Sequence, residues 1–305
     1  MEKILHLFDV SPFIHAGKVN KYSKLEQLIN DGTTWRTQVT PTGGISLLFN
    51  TLYSVVGTGD CVFCCDRNPT IKKDMLSSYK GNRDHARDVE VQKAVAEYIL
   101  QACNCTVLAR AGYEADDLIY TLVKKHYKEY DKIYIYTGDS DLYFLVDAKV
   151  SIKPSSSRAK EVTLENYNKV LEKKGAVYNT LTVQKILKGD VSDCIPALPK
   201  EQQKVLANYL YDAQLVHMLG DKDFVMSWVK HICPEAAPQV DLVFPLMVDF
   251  TDLPDAFKKP DVIAIRNFGA AIGNKMFRGR GTPDFDITAF VIDMQSKGYY
   301  LEEEN

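Results

Sequence analysis

The chain has 305 residues, of which 46% are hydrophobic and 25% charged, with a formal net charge of −3. That length can bury a real core and carry one large domain plus an appendage. Ordinary globular composition and the lack of any apolar stretch near membrane-spanning length exclude a low-complexity or membrane-embedded chain.

Met1-Glu2-Lys3 runs directly into a strand-like segment, so no secretory leader is expected. Seven cysteines, an odd number, fit structural thiols in a reducing cytoplasm. Ile4–Phe8 reads as a buried strand that ends on Asp9, with His6 in its core. Residues 17–40 are basic and polar (Lys18, Lys21, Lys24, Arg36) and read as a surface loop. Thr42 is the expected N-cap of the helix ISLLFNTLYSVV. Val62–Cys65 is a second strand, ending on Asp66, and its cysteines serve as small hydrophobes. Arg67 to Lys93 is rich in basic residues, and its low apolar content between Asn68 and His85 predicts few contacts with the core. Glu90–Leu100 is helical. Glu114, Asp116 and Asp117 stand at the head of a helix, Asp116–Tyr127, with Ile119, Leu122 and Val123 on one face. Ile133–Tyr136 is a strand followed by Asp139 and Asp141, and Val150–Ile152 is another. From Leu181 onward helices dominate, and KGDVSD contributes Asp190 and Asp193. The expected architecture is α/β: a mainly parallel central sheet flanked by helices over 1–180, then a helical subdomain over 181–305.

Three of these strands run into carboxylates at their C-terminal ends, the edge where open parallel sheets bind ligands. Two unit charges 4 Å apart repel by roughly 4 kcal/mol at a surface-like dielectric. Nine carboxylates in one pocket therefore require divalent cations, and oxygen-only ligands select Mg²⁺ or Mn²⁺. Each string is weak alone, since acids in a first helical turn complement the dipole and Gly-Asp-Ser-Asp occurs in ordinary turns. Setting those nine carboxylates aside turns the formal charge from −3 to +6. The basic clusters over 67–93 and 258–280 suit either phosphate backbones or solvated helix faces. Nucleophilic hydrolases are disfavoured: no G-x-S-x-G occurs, and the six histidines are scattered. A haloacid-dehalogenase-type phosphatase wants a second Asp two residues after Asp9, where Ser11 stands.

Taken together, the early strand Asp, the second strand ending in Asp, E-x-D-D, G-D-x-D and G-D-x-S-D-x-I-P resemble the flap endonuclease and 5′-3′ exonuclease family of PIN-like nucleases. The length and the segment LVFPLMVDFTDLPD further resemble phage 5′ nucleases of the ribonuclease H type. Tyr79-Lys80-Gly81-Asn82-Arg83 is similar to the Y-K-x-N-R string of the family's helical arch, here about 67–93. The resemblance implies a two-metal phosphodiesterase acting near 5′ ends and junctions. Asp9, Asp66, Glu114 and Asp116 would serve one ion, with Asp117 in its outer shell. Asp139, Asp141, Asp190 and Asp193 would serve the other. Lys80 and Arg83 would be catalytic at the phosphate, and Tyr79, Arg67, Lys72, Lys73 and Arg87 would contact nucleic acid. Implied partners are DNA with a 5′ flap, nick or gap, RNA–DNA hybrid, and a single-strand-binding protein or polymerase. A monomer in the cytoplasm, of the host cell if phage-encoded, is the matching state. Two departures stand out: Cys194 and Ala197 replace the family's Asn and Gly, and the next segment lacks its glycine hairpin, which puts a K⁺ site in doubt. A PIN-like ribonuclease and a non-catalytic junction-binding protein are the alternatives. The arch string counts against the first and the complete acidic set against the second.

Overall fold

The computed structural model describes residues 2–17, 24–30, 35–82, 87–155, 160–167, 169, 180–210, 222–251, 253 and 256–271. Five strands form the central sheet: β1 (Ile4–Asp9), β4 (Asp60–Cys65), β5 (Thr106–Ala109), β6 (Lys132–Thr137) and β7 (Val150–Pro154). Their order is β5-β4-β1-β6-β7, mainly parallel and flanked by helices, as expected. The near-continuous apolar runs of β1 and β4 match strands covered on both faces, and Leu5, Leu7, Val62 and Phe63 are fully buried. β6 and β7 pair in parallel with Ile133 opposite Val150 and Ile135 opposite Ile152.

Two features differ from the sequence expectation. The edge strand β5 is only four residues long, TVLA, too short for its pattern to separate from a loop. Residues 24–41 are not a loop: β2 (Lys24–Asn30) and β3 (Trp35–Pro41) pair antiparallel, Lys24 opposite Pro41 and Asn30 opposite Trp35. Ile29, Thr37, Val39 and Thr40 supply β-branched propensity, and Asp31-Gly32 is a hairpin dipeptide. The lysines hid both signals.

The chain divides into two compact units. One comprises Met1–Leu7, Asp66–Asp84 and Ala109–Leu253. It contains α3 (Thr70–Met75), α5 (Ala115–His126), β6, β7, α6 (Thr180–Lys188), α7 (Lys200–Leu210), α8 (Lys222–Ile232) and α9 (Ala237–Val243). α5 buries Leu118, Ile119 and Leu122 completely. Each such side chain contributes about 1.5–3 kcal/mol. The segment after Asp66 also departs from expectation: Leu76 and the buried Tyr79 pack with Ile195, Leu242 and Val243. Its few apolar residues are concentrated where they meet the core.

The other unit comprises Phe8–Cys65, His85–Leu108 and Pro254–Asn305. It contains α1 (Val10–Gly17), β2, β3, α2 (Gly43–Val55), β4, α4 (Arg87–Ala102), β5 and α10 (Val262–Ala271). Phe8 stacks on Phe63 with ring centroids 4.6 Å apart. α2 lies so close to α1 that a Cβ on Gly44 would sit 2.5 Å from the Ile14 Cα. Cys61, Cys64 and Cys65 are buried free thiols. Burial pushes the Cys61 thiol up to about 12, as it does Cys103, which keeps both protonated and inert. Among the described residues, no helix is long and apolar enough to cross a membrane.

Candidate active site

The carboxylates of the first unit arrive on three short structures. Asp66 follows β4 directly, and its Oδ1 accepts the Ala115 N–H at 2.9 Å, closing the N-terminus of α5. Glu114 is the N-cap of that helix, and the Asp117 carboxylate accepts the Glu114 N–H at 2.9 Å in a capping-box arrangement. Asp139 and Asp141 occupy the turn after β6: Asp139 N–H donates to Thr137 Oγ1, and Asp141 N–H to Asp139 Oδ1, both at 3.1 Å.

Asp190 and Asp193 sit on a tight turn after α6. Asp190 and Ile195 exchange backbone hydrogen bonds of 2.9 and 2.8 Å, and Asp190 Oδ1 accepts the N–H and the hydroxyl of Ser192. The turn needs its glycine. Gly189 has φ +73°, and a Cβ there would fall 2.2 Å from the Ile195 carbonyl oxygen. Cys194, at φ +56°, occupies a left-handed position that favours Asn.

Lysines neutralise much of this charge. Glu114, 7% exposed, accepts the Tyr79 hydroxyl at 2.7 Å and the Lys72 ammonium at 3.3 Å on one oxygen, and the Lys80 ammonium on the other. Burial alone would raise its carboxyl, yet Lys80, Lys72 and these hydrogen bonds hold it at about 2. Burial, then the Glu114 charge, pushes the Tyr79 hydroxyl well above its ordinary value, so it remains a donor. Lys185, on α6, bridges Asp141 at 2.5 Å and Asp190 at 2.7 Å. Burial opposes the Lys185 charge, but those two carboxylates hold it above its ordinary value. Asp190 lies at about 2, because Lys185 and Ser192 outweigh burial. Asp141 is pushed up by burial and by Asp139.

Asp141, Asp190 and Asp193 each offer an oxygen, and the three atoms lie within 4.8 Å of one another. They open on a cleft whose lining also includes Glu114, Asp116 and Lys80. An all-oxygen donor set of this kind fits a hard divalent cation.

The same fold is found in solved structures. The T5 D15 protein co-crystallised with metal ions superimposes with a TM-score of 0.54 over 96% of this chain and 99% of that one, at 13% identity. The bacteriophage T5 D15 flap endonuclease in a pseudo-enzyme–product complex with DNA and metal ions matches with a TM-score of 0.51 over 79% of this chain and 90% of that one, at 15% identity. Among curated sequences, DNA polymerase I of Mycobacterium leprae is 31% identical over 144 residues, 47% of this chain and 16% of the polymerase. A 5′-3′ exonuclease of Mycoplasmopsis pulmonis is 27% identical over 154 residues, half of each protein. The chain thus spans a small part of the polymerases it matches. Residues 21–175 match the family model of the 5′-3′ exonuclease N-terminal resolvase-like domain. The chain belongs to the 5′-3′ exonuclease family.

That match takes in Asp66, Glu114, Asp116, Asp117, Asp139 and Asp141 and leaves out Asp9, Asp190 and Asp193, so the last two rest on geometry. Asp9 ends β1, 5% exposed, in the other compact unit. Lys72 and Tyr79, expected at nucleic acid, are 4% and 1% exposed and both bond Glu114. Arg67 donates to the Asp66 carbonyl at 2.9 Å, and Lys73 to the Asn68 side chain at 2.7 Å. Arg83 and the Arg87 side chain lie outside the described residues. Sequence reasoning missed Lys185 altogether. Its only signal is a lysine one helical turn before Gly189.

Proposed function

We propose that this protein is a divalent-metal-dependent 5′ nuclease that hydrolyses phosphodiesters near 5′ ends and single-strand/duplex junctions. Its substrates are 5′ flaps, nicks, gaps and RNA annealed to DNA. The convergence of Asp141, Asp190 and Asp193 oxygens within 4.8 Å supports this reading most directly. Asp9, Asp66, Glu114 and Asp116 would hold one ion, and Asp139, Asp141, Asp190 and Asp193 the other. Two Mg²⁺ or Mn²⁺ ions held there would supply an activated water and would stabilise the leaving oxygen. Lys80 presents its ammonium at the cleft, where it offsets charge developing on the phosphate, and Arg83 joins it. Tyr79 keeps Lys80 in register by bonding Glu114 beneath it. Arg67, Lys73 and Arg87 provide backbone contacts that weaken with salt. The helical part beyond residue 181 adds nucleic-acid contacts without a K⁺-binding glycine hairpin.

The test is a single assay on labelled flap, nicked and RNA–DNA hybrid substrates, with Mg²⁺ and with EDTA. Cleavage near the junction that needs Mg²⁺ and vanishes in Asp141→Ala is expected. Cleavage that persists in EDTA, or in both Asp141→Ala and Asp116→Ala, overturns the mechanism. Retained tight junction binding by a wild-type protein that never cleaves favours the non-catalytic alternative.

A further inference from the structure

The segment Phe244–Phe250, part of the LVFPLMVDFTDLPD string, has neither helix nor strand structure, yet it is closely held. Leu246 N–H donates to Asp117 Oδ1 at 2.6 Å, and Val248 N–H to Thr121 Oγ1 at 2.9 Å. The Thr121 hydroxyl in turn donates to the Asp117 carbonyl at 2.8 Å. Phe244 sits edge-on to Phe144 at 5.1 Å. Asp117 and Thr121 are four residues apart on α5, so one helix face receives two successive outward-facing N–H groups of the segment. The start of the segment, with the last two residues of α9 before it, reaches the chemistry: Leu242 packs on Tyr79 and Ile195, and Leu242, Val243 and Pro245 line the acidic cleft.

The two oxygens of Asp117 are therefore both engaged by backbone. Oδ2 takes the Glu114 N–H and Oδ1 the Leu246 N–H, with the Lys72 ammonium 3.8 Å from Oδ1 and the residue 1% exposed. A carboxylate so committed is poorly placed to turn toward an ion. Resting on the nuclease reading above, we propose that Asp117 and Thr121 are positioning residues. They pin a strap, residues 242–248, that sets Tyr79 and Lys80 through Leu242, while Asp117 sets Glu114 directly. Asp117 is then no part of the metal shell.

Full-length Thr121→Val, Thr121→Ser and Asp117→Asn separate the possibilities. Thr121→Val removes the acceptor for Val248 N–H without touching a carboxylate. The single-turnover rate on a flap in Mg²⁺ is expected to fall about tenfold to a hundredfold, the range for residues that orient reacting groups. Ca²⁺ affinity and flap affinity in Ca²⁺ stay unchanged, because the Thr121 side chain bonds no carboxylate oxygen, and Thr121→Ser restores the rate. Amide exchange at Leu246 and Val248, slow in the parent, accelerates in Thr121→Val whether or not the protein cleaves anything. That readout separates failure of the strap from failure of the nuclease assignment. If Thr121→Val does not fold, Leu242→Val, which trims the contact with Tyr79, must show the same rate loss at unchanged Ca²⁺ affinity. A tenfold loss of Ca²⁺ affinity in Asp117→Asn, with normal cleavage by Thr121→Val, would return Asp117 to the metal shell. Unchanged rates and exchange in Thr121→Val would likewise overturn the proposal.

Discussion

Two groups of carboxylates stand at the cleft or directly behind it, and they are held in different ways. Glu114 and Asp117 sit at the head of α5, 7% and 1% exposed, fixed by Lys72, Lys80, Tyr79 and backbone N–H groups. Asp141, Asp190 and Asp193 sit on two turns, with Lys185 bridging the first two. The first group is an internal polar network in which removal of one member strands another. The second is a set of loop carboxylates whose geometry comes from the backbone turns. Buried networks and tight turns fail differently, and that contrast can be probed.

The largest expected effect lies in the first group. Lys72→Met removes the buried ammonium that Glu114 and Asp117 share, and breaking a buried pair on one side costs about 3–5 kcal/mol. Urea denaturation in EDTA should show a loss of that order, with Mg²⁺ restoring only part of it. Lys185→Met leaves more open carboxylates behind and should cost less. It should also enlarge the rise in Tm on adding Mg²⁺, because the ion then meets less competition. Equal losses in the two variants would erase the distinction between the groups.

Next comes the turn that carries the second group. Gly189→Ala imposes a left-handed backbone on alanine, worth roughly 1–2 kcal/mol. It also drives a Cβ against the Ile195 and Pro196 backbone, so the total loss should exceed that figure. The measured m-value should stay constant while the midpoint falls. A neutral Gly189→Ala would mean that the turn is not rigid.

Acid should expose the first group at moderate cost. Glu114 is held at about 2, below the ordinary carboxylate value, so its folded-state stabilisation is fully present above the unfolded pKa near 4. It is lost as pH falls toward 2. Asp117 and Asp141 are raised, so their protonation on acidification offsets part of that loss. Metal-free protein should therefore lose stability between about pH 4.5 and 2, and Glu114→Gln should flatten that slope. An unchanged slope in Glu114→Gln would assign the pH dependence elsewhere.

The contrast also explains what was legible in the sequence. β1 and β4 were legible because a strand buried on both faces must be continuously apolar, and β6 and β7 because their buried positions, Ile133, Ile135, Val150 and Ile152, recur with the two-residue period of a strand. The acids were legible because strand ends carry them. The lysine partners were not, since nothing local distinguishes a buried Lys72 or Lys185 from a solvated one. Burial of a long cationic side chain depends on where distant carboxylates arrive, and Asp117's attachment to Leu246 spans 129 positions in sequence. β2 and β3 were hidden by charge, and β5 by brevity.

The smallest effect is also the cleanest probe of the second group. Cys194 adopts φ +56°, and the only other described non-glycine residues at positive φ are Lys80 and Asn104. Asn tolerates this conformation better than other side chains, because its short amide can bond locally. Cys194→Asn should therefore stabilise the protein by about 1 kcal/mol or less. Cys194→Ser removes the thiol but keeps the backbone penalty, so it should give no comparable gain. The two variants separate backbone strain from thiol chemistry. If the turn alone fixes Asp190 and Asp193, relief of strain at Cys194 should raise the Tm in EDTA and in Mg²⁺ by the same amount. A gain confined to EDTA would show that bound metal already holds the turn, and that the second group is organised by its ion rather than by its backbone.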